Sequence, residues 1–144
     1  MPRVTKLSRA AGIILALLLA APVHGQLFES DSKRFGDGKM DIVVREIDRR
    51  PRTSVLQIDI KNIGSSVGSS FFLLCSVRSL AMQRGGYRYI AKVEEQPKKG
   101  QMIVGFLREA SENPLTLGAE FKSVDQTNGV IDLEQFAPIC DGMK

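Results

Sequence analysis

Two cysteines, Cys75 and Cys140, constrain the fold of this chain more than any other feature, because they lie 65 residues apart. A bridge between them would bring the C-terminal tail back to the segment that contains Cys75. An even number of cysteines in an exported chain favours a disulfide, and closing this loop would stabilise the fold by about 4 kcal/mol. The sequence predicts this internal disulfide. Two free thiols, or a bridge between molecules through Cys140, are the alternatives.

The N-terminus indicates the compartment. Three basic residues precede an apolar segment at 10–21, and small residues follow it. This layout is typical of a secretory signal peptide, and the apolar segment is too short to span a bilayer comfortably. We predict a leader over residues 1–25 that is cleaved between Gly25 and Gln26, and a periplasmic or secreted protein. An uncleaved N-terminal anchor is the alternative.

Cleavage would leave 119 residues, a length typical of one domain. The leader carries three of the 20 basic residues and none of the 16 acidic ones, so 17 basic residues would face 16 acidic ones. This balance argues against nucleic acid as a partner and against stable membrane insertion after cleavage. The only histidine, His24, also lies in the leader. The mature chain would therefore have no histidine base and no histidine metal ligand.

Periodicity predicts one α+β domain over 39–144, preceded by a flexible arm over 26–38. The second strand is clearest, because Leu56, Ile58 and Ile60 alternate with polar residues. The elements in chain order are strands at 40–47 and 54–62, a helix at 70–84, and strands at 87–94, 101–108 and 115–122. Residues 128–144 are not assigned to an element. The order ββαβββ predicts one helix on one face of a small antiparallel sheet, with solvent on the other face.

The predicted helix has Ser69 or Ser70 as its N-cap and ends at the glycine pair 85–86. One apolar stripe is expected to lie on the sheet. Its residues are Leu73, Leu74, Val77, Leu80 and Ala81. Cys75 lies on the opposite side of the helix together with Phe72. We expect the tail to cover that side with Phe136 and Ile139 and to bring Cys140 to Cys75.

The stretch Gly64–Gly68, GSSVG, matches the G-x-S-x-G pattern that presents a serine nucleophile in many hydrolases. Ser66 would need a base and an oxyanion hole, and the mature chain offers no histidine. Glycine-rich loops before helices also bind anions. The favoured interpretation is a connection whose serines cap the helix. Glu94 and Glu95 are not expected to form an acid/base pair in one cleft, because neighbouring strand residues point to opposite faces. We therefore assign no catalytic residue, cofactor or metal site.

The segment LLCSVRSLAMQRGGYRYIAKV resembles a recurring core of small bacterial envelope proteins and lipoproteins of unknown function. An apolar helix there ends at glycine and runs into a Tyr-x-Tyr or Tyr-x-Phe strand. The matching residues are Ala81, Gly86, Tyr87 and Tyr89, whereas Gly85 is additional and a lipid-attachment cysteine is missing. The resemblance implies an envelope location and this fold, and it implies no catalytic residue.

These observations together predict an exported, non-enzymatic binding or structural accessory protein of the bacterial envelope. Its expected partner is an envelope protein, because a small sheet with one helix leaves little room for a deep pocket. The alternative is a small secreted hydrolase that uses Ser66 or a carboxylate.

Overall fold

A computed structural model describes the protein over residues 27–35 and 38–143. The predicted leader at 1–25, its cleavage site between Gly25 and Gln26, and His24 lie outside these described residues. Within them the protein is α+β, with six antiparallel strands in one sheet and two helices. The strand order in the sheet is β1-β2-β3-β5-β4-β6. The strands are β1 (Glu29–Asp31), β2 (Asp41–Arg49), β3 (Thr53–Asn62), β4 (Tyr89–Glu94), β5 (Gln101–Leu107) and β6 (Ile131–Asp132); the helices are α1 (Ser66–Gln83) and α2 (Ala137–Gly142).

Helix α1 packs on one face of the sheet and forms the main core with it. Val77, Leu80 and Ala81 are buried, as the apolar stripe predicts, whereas Leu73 and Leu74 are only half-buried. Phe72 is also fully buried, although the helical period puts it beside Cys75; its ring centroid lies 6.2 Å from that of Phe35. The apolar surface of α1 is wider than one stripe because the segment before β2 covers part of it. Strand residues of this core include Ile42, Val44, Leu56, Ile90, Val104 and Phe106.

The second face of the sheet is covered, which differs from the predicted solvent face. The strand expected at 115–122 is instead two 3₁₀ helices, Pro114–Leu117 and Ala119–Phe121. Pro114 has no N–H for a strand ladder, and the Asn113 side chain accepts a hydrogen bond from the N–H of Leu115 at 3.0 Å, which starts the first turn. Leu117 and the buried Phe121 pack on a second core cluster. Its buried strand residues are Val55, Ala91, Ile103 and Leu107.

Gly105 of β5 lets this covering segment approach the sheet. A Cβ atom at this position would lie 2.4 Å from Cδ1 of Leu117 and 2.8 Å from Cζ of Phe121. Both distances are shorter than any real Cβ contact, so only glycine leaves room for these side chains.

The N-terminal segment is part of the sheet, although the sequence predicts a flexible arm over 26–38. Strand β1 pairs with β2, with Ser30 opposite Val44. Ser32 follows it and is buried; its Oγ accepts from the N–H of Ile42 at 2.8 Å and donates to the carbonyl of Met40 at 3.0 Å. The sequence of this segment shows no periodicity, because only the three residues of β1 pair with β2 and the Ser32 hydroxyl makes the next two hydrogen bonds. The described residues contain six strands instead of the predicted five, because β1 and β6 are added and the strand expected at 115–122 is absent.

The C-terminal tail folds back on α1, as predicted, and a disulfide joins Cys75 to Cys140 with their Cα atoms 5.3 Å apart. The buried side chain that anchors the tail is Leu133, which the sequence analysis did not single out. Phe136 is half-buried, whereas Ile139 is 40% exposed and so gives less cover than expected. Short strand β6, a 3₁₀ helix at Leu133–Phe136 and α2 make up this unassigned region.

Candidate functional site

A groove of about 540 Å³ lies between α1 and the helix-facing side of the sheet. Its apolar lining comes from strands β3, β4, β5 and β6, from α1 and from the 3₁₀ helix of the tail. Representative residues are Ile58, Leu73, Leu74, Ile90, Ile131 and Phe136. Five of these six side chains are half-buried, so the walls remain accessible. So small a fold is expected to have little room for a deep pocket, and the cavity that the structure contains is an open groove.

The groove exists because the core changes character along β4. Alternate residues of a strand share one face, so Ile90, Lys92 and Glu94 all lie on the face that α1 covers. Ile90 is buried in the core, whereas the next two helix-facing positions carry charge. Close packing of α1 against charged side chains would cost desolvation energy. The C-terminal half of α1 therefore packs tightly, and its N-terminal half borders an open space that Leu73 and Leu74 line.

Two charged side chains form an ion pair at the end of this groove. Lys92 Nζ donates to Glu94 Oε1. The lysine side chain is 35% exposed and the glutamate side chain is 68% exposed, so the ammonium is the more enclosed charge. Sequence reasoning did not select Lys92. Its position in the sequence could have indicated it, because Lys92 follows the apolar Ile90 by two residues and so lies on the same face of β4.

Glu94 and Glu95 both border the groove, which corrects their predicted separation on opposite faces. Strand β4 ends at Glu94, and Glu95 has a positive φ of 57°, so the strand alternation does not extend to it. The Glu95 carboxylate accepts a hydrogen bond from the N–H of Gly100 at 3.1 Å and so closes the turn between β4 and β5. Each glutamate thus has a bonding partner within its own hairpin.

The GSSVG stretch forms the start of α1. Gly64 has a positive φ of 67°, a conformation that suits glycine. The N-cap is Ser65, whose Oγ accepts from the N–H of Gly68 at 3.0 Å, and not Ser69 or Ser70 as predicted. Ser66 is the first helical residue, is exposed, and its hydroxyl has no hydrogen bond to another described residue. The apolar pattern begins after the helix does, because the first turn of α1 is mostly small and polar residues that give no periodic signal.

A buried ion cluster joins the end of α1 to the turn between β2 and β3. The Glu46 side chain is fully buried and binds Arg49, Arg84 and the hydroxyl of Ser54, the last at 2.6 Å. Burial by itself raises the pKa of Glu46. The hydrogen bonds from Arg49, Ser54 and the Phe28 N–H outweigh this effect and lower the pKa to about 2. The acid occupies the apolar phase of β2 after Ile42 and Val44, and that pattern could have revealed it.

This cluster is saturated with internal partners and leaves no open position for a ligand. Arg84 Nη1 also donates to the Ser54 hydroxyl at 2.7 Å and to the Thr53 carbonyl at 3.3 Å. Within residues 27–35 and 38–143, no group of three or more His, Cys, Asp or Glu side chains could hold a metal ion. The groove, by contrast, combines accessible volume with polar side chains in its lining.

Comparison with protein-family models, with curated proteins and with solved structures found no match to this chain. No helix in the described part of the chain is sufficiently long and apolar to cross a membrane.

Proposed function

We propose that this protein is an exported, non-enzymatic binding protein of the bacterial envelope and that its groove holds an apolar ligand. The observation that carries the proposal is the groove itself. Its volume of about 540 Å³ falls within the roughly 300–1,000 Å³ of ligand sites, which are mostly apolar with a few polar groups that orient the ligand. Half-buried side chains on both the helix and the sheet provide such walls.

The leader-like N-terminus and the disulfide support the export part of this proposal. Disulfides persist in oxidising compartments such as the periplasm. Purification from the native envelope and N-terminal sequencing test it. We expect a chain that begins at Gln26 in the periplasmic or secreted fraction. A chain that still begins at Met1 and remains with the membrane fraction would contradict both the cleavage and the location.

The sequence predicts an envelope protein as the partner, because so small a fold is expected to have little room for a deep pocket. The groove removes that reason. We therefore propose a small apolar ligand as the occupant of the groove. An envelope protein as a further partner stays a prediction, which affinity purification from the native envelope tests.

Filling the groove from one wall tests the proposed function directly. Leu74→Trp adds bulk at a half-buried lining position, and Leu115→Trp adds the same bulk at an exposed position on the opposite side of the sheet. We expect the neutral fluorophore N-phenylnaphthylamine to bind the wild type and the Leu115→Trp control, and to lose at least tenfold in affinity for Leu74→Trp. Circular dichroism would verify that both variants fold. Equal binding by all three proteins would contradict the use of this groove.

The alternative function is a small hydrolase. It is favoured by the proximity of Glu94 and Glu95 at one groove, and by the G-x-S-x-G pattern around Ser66. A broad serine-reactive probe that labels the wild type but not Ser66→Ala would support this alternative over a binding protein. Hydrolysis of a model ester or glycoside that is lost on Glu94→Gln or Glu95→Gln would do the same.

A further inference from the structure

Lys92 lines the groove at a position where the fold does not need a charged side chain. Lys92 lies on the helix-facing side of β4, opposite Val104 of β5, and an apolar residue there would extend the core from Ile90. A lysine can lay its aliphatic stem along such a wall and keep its ammonium at the edge. Its ion-pair partner is Glu94 in the same strand.

The Lys92–Glu94 pair contributes little to stability, because ion pairs between accessible side chains gain little over their hydration. The glutamate is the outer member of the pair and can turn into solvent, whereas the more enclosed ammonium remains at the apolar wall. Such a group can orient a ligand by one charged contact.

The charged side chains that line the groove are Lys92, Glu94 and Glu95, and Lys92 is the cation among them. The second acid there, Glu95, is held by the N–H of Gly100. The turn between β4 and β5 adds two exposed lysines, Lys98 and Lys99. These two lysines do not line the groove, so Lys92 supplies the positive charge of its wall.

We propose that the groove binds a free long-chain carboxylate, with the alkyl chain along the apolar walls and the carboxylate on Nζ of Lys92. The carboxylate replaces Glu94 as the partner of the ammonium. This inference rests on the proposed function and adds the chemical class of the ligand and the residue that selects it. An anionic head at the edge of an apolar groove remains partly hydrated, so binding does not require a buried unpaired charge.

Calorimetric titration of the purified, disulfide-bonded protein tests the charge preference. The three probes share one chain length below their micellar concentrations: tetradecanoate, tetradecanol and tetradecyltrimethylammonium. We expect tetradecanoate to bind at least tenfold more tightly than the other two. Shortening the carboxylate should weaken binding by about fourfold for each methylene removed, since each buried methylene contributes to transfer from water. A lysophospholipid with the same acyl chain should bind more weakly than the free carboxylate.

Two charge-neutralising variants separate the roles of the ion pair. Lys92→Gln should weaken tetradecanoate by about tenfold, as expected when a charged hydrogen-bond partner is lost, and should leave the alcohol unaffected. Glu94→Gln removes the competing carboxylate and should tighten tetradecanoate binding. Both changes lie at accessible positions, so circular dichroism should show intact folds.

The possible results of these titrations distinguish failure of this inference from failure of the proposed function. Equal binding of acid and alcohol, unchanged by Lys92→Gln, would overturn this inference and leave the proposed apolar groove intact. Preference for the ammonium probe, lost on Glu94→Gln, would reverse the charge assignment and overturn it as well. If neither the neutral fluorophore nor any amphiphile binds, the proposed function fails together with the inference. A dimer that Leu74→Trp dissociates would show that a second copy fills the groove, and would also contradict the inference.

Discussion

Arg84 Nη1 lies 3.3 Å from Oε1 of Glu46, and both side chains are nearly inaccessible, at 6% and 0% exposure. The arginine is the C-cap residue of α1, and its guanidinium also lies 5.1 Å from the centroid of the Phe106 ring. It donates further hydrogen bonds to backbone carbonyls in the turn between β2 and β3. This ion pair thus connects the end of α1, the β2–β3 hairpin and the core.

Acid should destabilise the protein through Glu46. Its pKa in the folded protein is about 2, below the ordinary value near 4.5, so the group stabilises the fold fully above pH 4.5. That contribution, about 3 kcal/mol from a shift of this size, is lost as pH falls from about 4.5 toward 2. Urea unfolding measured at intervals between pH 7 and pH 2 should show the decrease.

Glu46→Gln provides the corresponding variant. It should lower the free energy of unfolding at pH 7 by about 3 kcal/mol, because it leaves buried guanidinium groups without their carboxylate. Its stability should then change less between pH 4.5 and pH 2. Glu29→Gln, which removes an exposed partner of Arg45, should cost less than about 1 kcal/mol. Parallel pH profiles for the wild type and Glu46→Gln would refute the assignment.

Removal of the disulfide should destabilise the fold without changing its architecture. The Cys75–Cys140 bridge closes a separation of 65 residues, so its loss should cost about 4 kcal/mol on the chain-entropy account. The double variant Cys75→Ser/Cys140→Ser should unfold at correspondingly lower urea concentration. Mass spectrometry of unreduced protein should find no alkylatable thiol, and two reactive thiols in native-source protein would contradict the bridge.

Gly105→Ala should destabilise the second face of the sheet. The added methyl group would overlap Leu117 and Phe121, and overpacking of this kind costs about 1–3 kcal/mol. Gly142→Ala is the matched control, because nothing lies within 4 Å of its Cβ position in α2; it should be neutral or slightly stabilising. Thermal unfolding of the two variants compares them, and equal midpoints would contradict the close approach at Gly105.

Adjacent serines at the start of α1 should respond differently to alanine. Ser65→Ala removes the N-cap acceptor for the Gly68 N–H and should cost about 1 kcal/mol. Ser66→Ala removes a hydroxyl without a hydrogen-bond partner among the described residues and should change stability by less than about 0.5 kcal/mol. Urea unfolding distinguishes them; a larger loss for Ser66→Ala would indicate that its hydroxyl is engaged.

Much of the secondary structure could be predicted from local pattern. The alternation of Leu56, Ile58 and Ile60 belongs to a real strand, β3, and α1 ends before the glycine pair at 85–86. The alternation from Leu115 to Lys122 misled, because apolar residues two apart also occur in 3₁₀ turns that place Leu117 and Phe121 on a sheet. Alternation of apolar residues alone therefore does not distinguish a strand from these 3₁₀ turns. Pro114, which has no N–H, begins the first turn.

The α+β class, the β2–β3 and β4–β5 strand pairs and the long helix could be predicted from residue periodicity and turn chemistry, which are local properties. The even number of cysteines favoured a bridge between Cys75 and Cys140, and the structure shows that the two residues meet. Three other features became known from the three-dimensional structure: residues 114–130 cover the second face, Glu46 meets Arg84, and a groove remains beside Lys92. Each of these is a relation between segments far apart in the chain, and it depends on how closely side chains pack when the helix and the sheet meet.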